Sequence, residues 1–206
     1  MILSSCCAGC GAPGPTLCRP CRFALVARPP TDEPGGGFDG VLVAAPFSGR
    51  VRDVLLGLKY RNRRPVARHL AGLVVNRVAA AGVPVDVVTW APTSARRRRH
   101  RGFDQAELVA RHVARQLGVP CRRLLEREAA ATPQTGRSRQ DRLRAPRFRA
   151  HPRTPGGHVL VVDDVMTTGA TLRAAAAALR GGGAVDVTCA AVAATPEGGQ
   201  PMKRVA

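Results

Sequence analysis

The stretch VLVVDDVMTTGATL, residues 159–172, contains the residues that decide the fold. Four aliphatic residues lead into two adjacent carboxylates, Asp163 and Asp164, and a loop rich in threonine and glycine follows them. An unbroken aliphatic run is typical of a parallel strand that is buried on both faces. Two neighbouring carboxylates at its end repel each other and are costly to desolvate, so a ligand that hydrogen-bonds to both would offset that cost.

Strand and helix patterns alternate along the chain on both sides of this stretch. Asp104 and Gly118 bracket one helix, as its N-cap and as a residue just after its end. The predicted strands are 41–45, 85–90, 158–163 and 185–192, with a shorter one at 121–127, and the predicted helices are 50–60, 66–80, 104–117 and 171–180. This alternation predicts an α/β domain with a parallel sheet and crossover helices.

The two carboxylates occupy the position where open α/β sheets bind ligands, just beyond the carboxyl end of a strand. The loop after them leads directly into a helix, whose unpaired N–H groups form an anion site. Gly169 allows the backbone to approach a phosphate closely. A ribose 5-phosphate fits this arrangement, with its phosphate in the loop and its 2′- and 3′-hydroxyls on the carboxylates.

The same stretch closely resembles the phosphoribosyl pyrophosphate (PRPP) motif of type I phosphoribosyltransferases. The resemblance implies that Asp163 and Asp164 hold the ribose hydroxyls, and that Mg²⁺ accompanies PRPP. It also implies a 5-phosphate cradle and, after an earlier strand, a pyrophosphate loop. The implied cradle residues are Thr167, Thr168, Gly169, Ala170 and Thr171, and the implied pyrophosphate-loop residues are Pro92, Thr93, Ser94 and Arg96.

An arginine-rich segment follows the strand 85–90, with five arginines among residues 96–101. Together with the sequence RGFDQA that continues it, the stretch LKYRN at 58–62 and an N-terminus rich in cysteine, it resembles the ComF family of competence proteins. Asp104 stands where that family commonly has Asn. The resemblance implies uptake of single-stranded DNA during natural transformation, together with a helicase-like partner.

The arginines themselves leave three interpretations open: a solvated surface, a pyrophosphate site, or a nucleic-acid contact. The candidate nucleic-acid residues are Arg97, Arg98, Arg99 and Arg101. Candidate stacking platforms for bases are Tyr60, Trp90, Phe103 and Phe148. A further segment, 132–150, resembles the mobile catalytic loop of the family through Gln134, Arg137 and Arg142, although Leu143 stands where the family often has Asn.

The spacing Cys7-x₂-Cys10-x₇-Cys18-x₂-Cys21 predicts a structural Zn²⁺ site with four thiolate ligands. Cys6 could replace Cys7, and an iron–sulfur cluster or a metal-free site is the alternative. A segment rich in proline and glycine, 28–37, predicts a linker. We therefore expect a zinc-binding module with its linker at 1–37 and a phosphoribosyltransferase-like domain at 38–206.

The formal net charge of +18 favours polyanionic partners such as nucleic acid, nucleotides and phosphates. Of the 32 basic residues two are lysines, Lys59 and Lys203, which leaves 30 arginines. The sequence contains no apolar run of about 18 residues, which excludes a membrane-spanning helix. It also shows no signal-peptide pattern near its start, so a cytoplasmic location is expected.

Two functions follow from these patterns. The first is a ComF-like protein whose PRPP-binding domain acts in uptake of single-stranded DNA, with PRPP binding residual or regulatory. The second is an active phosphoribosyltransferase, a glycosyltransferase of nucleobase salvage or related metabolism whose acceptor is unknown. A transcriptional regulator would need a helix-turn-helix module, which residues 1–40 do not predict.

Overall fold

A four-stranded parallel sheet lies at the centre of the fold. The structure, a computed structural model, describes residues 6–26, 41–128 and 146–195. The strands of the sheet follow the order β1–β6–β5–β2, in which β1 is Val41–Val43, β2 is Val87–Trp90, β5 is His158–Met166 and β6 is Asp186–Ala194. Two shorter strands, β3 at Leu125–Arg127 and β4 at Phe148–Ala150, form a separate antiparallel pair.

The part of the chain that the structure describes contains six α-helices, of which the first precedes the strands. They are α1 (Arg19–Val26), α2 (Gly49–Tyr60), α3 (Ala67–Ala80), α4 (Ala95–Arg101), α5 (Gln105–Leu117) and α6 (Ala170–Gly181). A 3-10 turn at Arg64–Val66 precedes α3. The observed alternation of strands and helices confirms the predicted α/β class with its parallel sheet.

The two faces of the sheet pack against different layers because side chains alternate along a strand. On β5, Leu160 and Val162 join a cluster with buried residues of α2, α3 and α5. Val159 and Val161 join a second cluster with α6 and the β3–β4 pair. The central strand is therefore buried on both sides, as its unbroken aliphatic run predicts, and its carboxyl end is where polar groups can emerge.

Most of the predicted elements occur with small shifts at their ends. Strand β5 continues to Met166, beyond the predicted end at residue 163, because Val165 and Met166 still pair with β6. The short strand predicted at 121–127 is confined to Leu125–Arg127. Asp104 caps α5 by accepting hydrogen bonds from the N–H groups of Ala106 and Glu107, and Gly118 ends that helix in the left-handed conformation, as predicted.

Helices α1 and α4 were not predicted from the sequence. Both are short, with 8 and 7 residues, and α4 has the sequence ARRRRHR, which lacks an apolar stripe. An amphipathic pattern needs two or more turns to become visible. The predicted linker at 28–37 and much of the segment 132–150 lie outside the described residues.

Residues 6–21, which we call the cysteine knuckle, pack directly on helix α2. Ala8 touches α2 so closely at Gly57 that a Cβ on that glycine would lie 3.0 Å from the Ala8 Cβ. Arg50, in the first turn of α2, donates a hydrogen bond from Nη1 to the carbonyl of Gly9 at 2.9 Å. The knuckle residues Cys7, Ala8 and Cys21 belong to the same buried cluster as α2 and α3.

Candidate functional site at the carboxyl edge of the sheet

Pairing between β2 and β5 brings two predicted parts of the site together. The strands are parallel and Trp90 lies opposite Val162. The N–H of Ala91 continues the pairing with a hydrogen bond of 3.1 Å to the carbonyl of Val162. The predicted pyrophosphate loop, residues 92–94, therefore begins beside the acid pair that follows Val162.

Lys59, at the end of α2, contacts this acid pair. Its Nζ lies 2.9 Å from Oδ1 of Asp164. Both residues are buried, with 7% and 9% of their surface exposed. Sequence reasoning missed Lys59 as a site residue, although it lies in the LKYRN stretch and is a rare lysine in a chain that otherwise uses arginine.

Asp163 has a strongly perturbed acidity. Burial, followed by the neighbouring carboxylate of Asp164, raises the pKa of Asp163 to about 7. The N–H of Asp164, which donates to Oδ1 of Asp163 at 2.8 Å, and the charge of Lys59 act in the opposite direction. A ligand that donates hydrogen bonds to this carboxyl group, or brings positive charge close to it, would stabilise its ionised form.

Asp104 connects the pyrophosphate loop to the acid pair. Its Oδ2 accepts a hydrogen bond of 2.8 Å from the N–H of Thr93, while Oδ1 caps α5. Burial raises the pKa of Asp104, the hydrogen bond from Thr93 lowers it, and the charge of Asp164 raises it again. Asp104 is thus a third carboxyl group close enough to the pair to sense its charge.

Arg127, in β3, is a second cation of the site that the sequence did not reveal. Its Nη1 donates to the carbonyl of Pro92 at 3.4 Å, and its guanidinium lies 5.7 Å from the centre of the Phe148 ring. Burial and then the charge of Arg97 lower the pKa of Arg127, whereas Asp163 and Asp104 raise it. The contact of Arg127 with Pro92 depends on where β3 packs. The sequence of β3 contains no motif that would identify Arg127 as a site residue.

The predicted phosphate cradle forms the turn between β5 and α6. Gly169 adopts φ +69, the left-handed conformation that glycine accepts without strain, and stands at the N-cap of α6. Thr167 and Thr168 are exposed, and the Thr168 carbonyl accepts a hydrogen bond of 2.7 Å from Arg173. Ala170 and Thr171 begin the helix, whose first backbone N–H groups have no carbonyl partner within it. The N–H of Ala170 donates to Oγ1 of Thr168 at 3.4 Å.

Helix α4 follows the loop 92–94 directly and contains the arginine-rich segment. Ser94 caps it by accepting from the N–H of Arg97 at 3.3 Å. The four arginines of its first turns, Arg96, Arg97, Arg98 and Arg99, are all exposed. Arg101 is half-buried instead, because its Nη1 donates to Oε1 of Gln105 at 2.8 Å and its guanidinium lies over the Tyr60 ring at 5.3 Å.

The predicted stacking platforms divide into exposed and buried rings. Tyr60 is 57% exposed, and Phe103 is half-buried beneath the guanidinium of Arg64, which lies 4.5 Å from the ring centre. Trp90 and Phe148 are 5% and 9% exposed, so their assignment as platforms was wrong. Both rings are taken up by the core because they occur in strands of the α/β domain. The predicted mobile-loop residues Gln134, Arg137 and Arg142 lie outside the described residues.

The four predicted cysteines form a cluster that could hold a metal ion. The Sγ atoms of Cys7, Cys10, Cys18 and Cys21 all lie within 4.8 Å of one another. Two of these separations are 3.5 and 3.8 Å, close to the distance of about 3.8 Å between ligands of a tetrahedral zinc with Zn–S bonds of about 2.3 Å. The cluster contains Cys7 rather than Cys6.

Backbone hydrogen bonds prepare Cys7 for metal binding. Burial opposes its ionisation, but N–H groups of the knuckle outweigh burial and lower the pKa of Cys7 to about 6. The N–H groups of Gly9 and Cys18 each lie 3.4 Å from its Sγ. Burial raises the pKa of Cys21, so one thiolate is available near neutral pH and metal binding would deprotonate the others.

The two remaining cysteines do not belong to this cluster. Cys189 is buried in β6, and burial raises its pKa to about 11, as expected for an unreactive core cysteine. Cys121 is half-buried at an isolated bridge to Val88 rather than within a strand, and burial also raises its pKa to about 11. In the described residues, none of the helices has both the length and the apolar character needed to cross a membrane.

Comparisons with known proteins agree with this architecture. A family model described as "Phosphoribosyl transferase domain" matches residues 104–205. The chain is 29% identical over 192 residues to the DNA utilization protein YhgH of Salmonella typhi, an alignment that covers 89% of this chain and 81% of that protein. It is 28% identical over 194 residues to YhgH of Escherichia coli strain K12, with 89% and 82% covered.

Two solved structures of phosphoribosyl enzymes are also similar. Glutamine PRPP amidotransferase from B. subtilis matches with a TM-score of 0.46 and 22% identity, over 71% of this chain and 28% of that chain. The chain therefore spans little more than a quarter of that enzyme. Orotate phosphoribosyltransferase from Aeropyrum pernix matches with a TM-score of 0.40 and 20% identity, over 71% and 77% of the two chains.

The parallel sheet, the acid pair at its carboxyl edge and the family model define a protein with a type I phosphoribosyltransferase domain, preceded by four clustered cysteines. The match to YhgH extends over most of the chain, including the part before that domain model. The chain therefore resembles the YhgH proteins along most of its length.

Proposed function

We propose that the carboxyl edge of the sheet binds PRPP. The observation that carries this proposal is the β2–β5 pairing, which sets the loop at 92–94 beside Asp163 and Asp164. The carboxylates lie between two loops, 92–94 and 167–171. The loops and their surroundings offer backbone N–H groups and basic side chains. PRPP has the complementary chemistry, with a diol between two phosphate-bearing ends.

Each part of the ligand has a matching group. Asp163 and Asp164 accept hydrogen bonds from the ribose hydroxyls, and the loop 167–171 surrounds the 5-phosphate with N–H and hydroxyl donors. The loop 92–94 and Arg96 lie toward the pyrophosphate, where Arg127 adds positive charge. Mg²⁺, which takes oxygen ligands, would neutralise pyrophosphate charge next to these carboxylates.

Turnover would use the same groups. As the bond from C1 to pyrophosphate breaks, positive charge develops on the sugar and negative charge on the leaving group. Asp163 and Asp164 favour the first, and the cations beside the loop 92–94 favour the second. An active enzyme would then pass the phosphoribosyl group to an acceptor whose identity the described residues do not specify.

Calorimetric titration with PRPP and Mg²⁺ tests the binding proposal. Asp163→Asn combined with Asp164→Asn removes both ribose acceptors and should weaken binding more than tenfold, which corresponds to about 1.4 kcal/mol or more. The control, Asp53→Asn with Asp186→Asn, also removes two carboxylates, but from the surface and outside the edge. Equal PRPP affinity in the wild type and the site variant would contradict the proposal.

We further propose that the protein handles single-stranded DNA, as a cytoplasmic component of DNA uptake with a helicase-like partner. Two observations support this function. The relatives are named DNA utilization proteins, and helix α4 presents four exposed arginines beside the proposed PRPP site. Nucleic-acid phosphates and pyrophosphate attract the same side chains, so the two ligands could share this surface.

A further inference from the structure

Lys59 stands out from the other basic residues of the chain. The sequence uses arginine at 30 of its 32 basic positions, and Lys59 is one of the two exceptions. Its side chain is 6% exposed, whereas Arg96, Arg97, Arg98 and Arg99 of α4 are exposed. An ammonium is a compact point charge, and a guanidinium is a wide planar fork with five donors. A buried position that meets a single carboxylate favours the smaller group.

The partner of Lys59 is a carboxylate of the proposed PRPP site. Nζ lies 2.9 Å from Oδ1 of Asp164, whose side chain is 12% exposed. Burying two charges is costly, and replacing such a pair with apolar residues often leaves a protein equally stable. A contribution to stability is therefore a weak explanation for a buried lysine at this position. A role in ligand binding at the adjacent edge of the sheet explains it better.

The fold holds Lys59 in place from behind. Gly57, two residues earlier, packs against Ala8 of the cysteine knuckle, and Arg50 in the first turn of the same helix bonds to Gly9. Leu55 and Leu58, on either side of Gly57, are fully buried. The end of α2 is thus fixed by contacts that do not involve the acid pair. These contacts position the ammonium of Lys59 beside Asp164.

We propose that Lys59 is a positioning residue of the PRPP site, which holds the Asp164 carboxylate in place and supplies positive charge beside Asp163, so that both carboxyl groups can act as acceptors. This inference rests on the proposed PRPP binding and adds a residue that acts through the carboxylates rather than on the ligand. Arg127 of β3 also interacts electrostatically with Asp163, but its guanidinium donates its hydrogen bond to the carbonyl of Pro92.

The charges around Asp163 determine the direction of the expected effect. Asp164 on its own strand, Asp104 at the start of α5 and Cys189 in β6 face it, together with the cations Lys59 and Arg127. Its pKa is raised to about 7, so the ionised acceptor forms as the pH rises through neutrality. Removing Lys59 takes away a positive charge and raises that pKa further. Binding should then require a higher pH.

The test is the pH dependence of PRPP affinity in the presence of Mg²⁺ for Lys59→Met, Lys59→Arg and the control Arg52→Met. Arg52 lies on the same helix with a half-exposed side chain. Lys59→Met should move the pH midpoint of binding upward by about one unit or more. Lys59→Arg retains the positive charge and should keep the midpoint close to its wild-type value, and Arg52→Met should leave the midpoint in place. An unchanged midpoint in a folded Lys59→Met protein would overturn the inference.

A second measurement separates this inference from the binding proposal. Carboxyl titrations followed by ¹³C NMR in aspartate-labelled protein report the pKa of Asp163 without a ligand. If the wild type does not bind PRPP, the proposed function fails, while an upward shift of that pKa in Lys59→Met still supports the role of Lys59. If Lys59→Met does not fold, Lys59→Gln serves instead, because it removes the same positive charge while its amide can still donate a hydrogen bond to Asp164. An Asp163 pKa unaffected by these charge changes would refute the electrostatic role.

Discussion

At the scale of single residues, Gly57 shows how closely the cysteine knuckle and the domain are joined. A Cβ at this position would lie 3.0 Å from the Ala8 Cβ and 3.3 Å from the Ala8 carbonyl oxygen. Ala8 is the residue after Cys7, so a metal held by that cysteine leaves Ala8 little room to move. Glycine inside a helix otherwise costs about 1 kcal/mol relative to alanine, and here it is required by contact rather than by backbone conformation.

We therefore expect Gly57→Ala to destabilise the protein by about 1–3 kcal/mol, the usual cost of overpacking a buried contact. Gly72→Ala on α3 is the matched control, because its added Cβ would meet an atom of Gln116 at 3.7 Å, an ordinary contact. That variant should be stabilised by about 0.5–1 kcal/mol. Chemical denaturation of both variants measures the difference. Equal stabilisation of the two proteins would show that the knuckle can retreat from α2.

At the scale of elements, α4 is a short helix whose role is to present charge. Its seven residues contain none that is buried, and it is held by the Ser94 cap and a left-handed Gly102. Its arginines therefore contribute little to the core, and their removal should leave the fold intact. This separation makes α4 a suitable element in which to test nucleic-acid contact.

We expect Arg97→Ala, Arg98→Ala and Arg99→Ala together to weaken binding of single-stranded DNA equally across sequences. They should also flatten the dependence of log affinity on log salt by about two units, because each phosphate contact contributes about 0.7. Fluorescence anisotropy over a salt series measures both effects. The control replaces the exposed Arg115, Arg122 and Arg123 by alanine, which removes the same total charge elsewhere.

Two outcomes would contradict the interpretation that α4 contacts single-stranded DNA. A triple variant that loses PRPP affinity but keeps its salt dependence for DNA would assign α4 to pyrophosphate. A control variant that changes the salt slope as much as the α4 variant would show that DNA responds to net charge rather than to this helix. In either case the contact would have to be sought in residues 137–149 or in the cysteine knuckle.

At the scale of the whole molecule, the knuckle and the domain share a buried cluster. Cys7, Ala8, Leu17, Cys21 and Leu25 lie in the same cluster as the buried residues of α2, α3 and α5. Loss of the metal would therefore loosen one face of the domain as well as the knuckle. The boundary proposed near residue 37 separates sequence segments, and the packing shows that these segments are joined through a common core.

We expect one zinc ion per chain, measured by elemental analysis of protein purified without added metal. Cys10→Ser with Cys21→Ser should abolish it, because two of four ligands are lost. Thermal unfolding of this variant should keep a single transition with a midpoint lowered on the order of 10 °C. Cys121→Ser, which changes a cysteine outside the cluster, is the control. Zinc retained by the double variant, or a domain that unfolds at its original temperature, would contradict this prediction.

The comparison of sequence and structure shows what each kind of information decides. Strand β5, helix α5 with its cap Asp104, and the four metal-ligand candidates could be predicted because each has a local cause. A buried parallel strand needs an aliphatic run, a helix start needs a capping acceptor, and a knuckle needs paired thiols at short spacing. Helix α4 could not be predicted, because a run of arginines has no apolar periodicity.

By itself, the sequence determined the α/β class, the order of the four sheet strands along the chain, the acid pair with its phosphate-type loop, and the cysteine cluster. Only the tertiary structure decided which charges meet that pair: Lys59 from α2, Asp104 from the start of α5 and Arg127 from β3. It also decided that Trp90 and Phe148 belong to the core. The physical reason is that burial and electrostatic interaction depend on distance in space, and residues 59, 104, 127 and 164 become neighbours only when the sheet and its helices are packed.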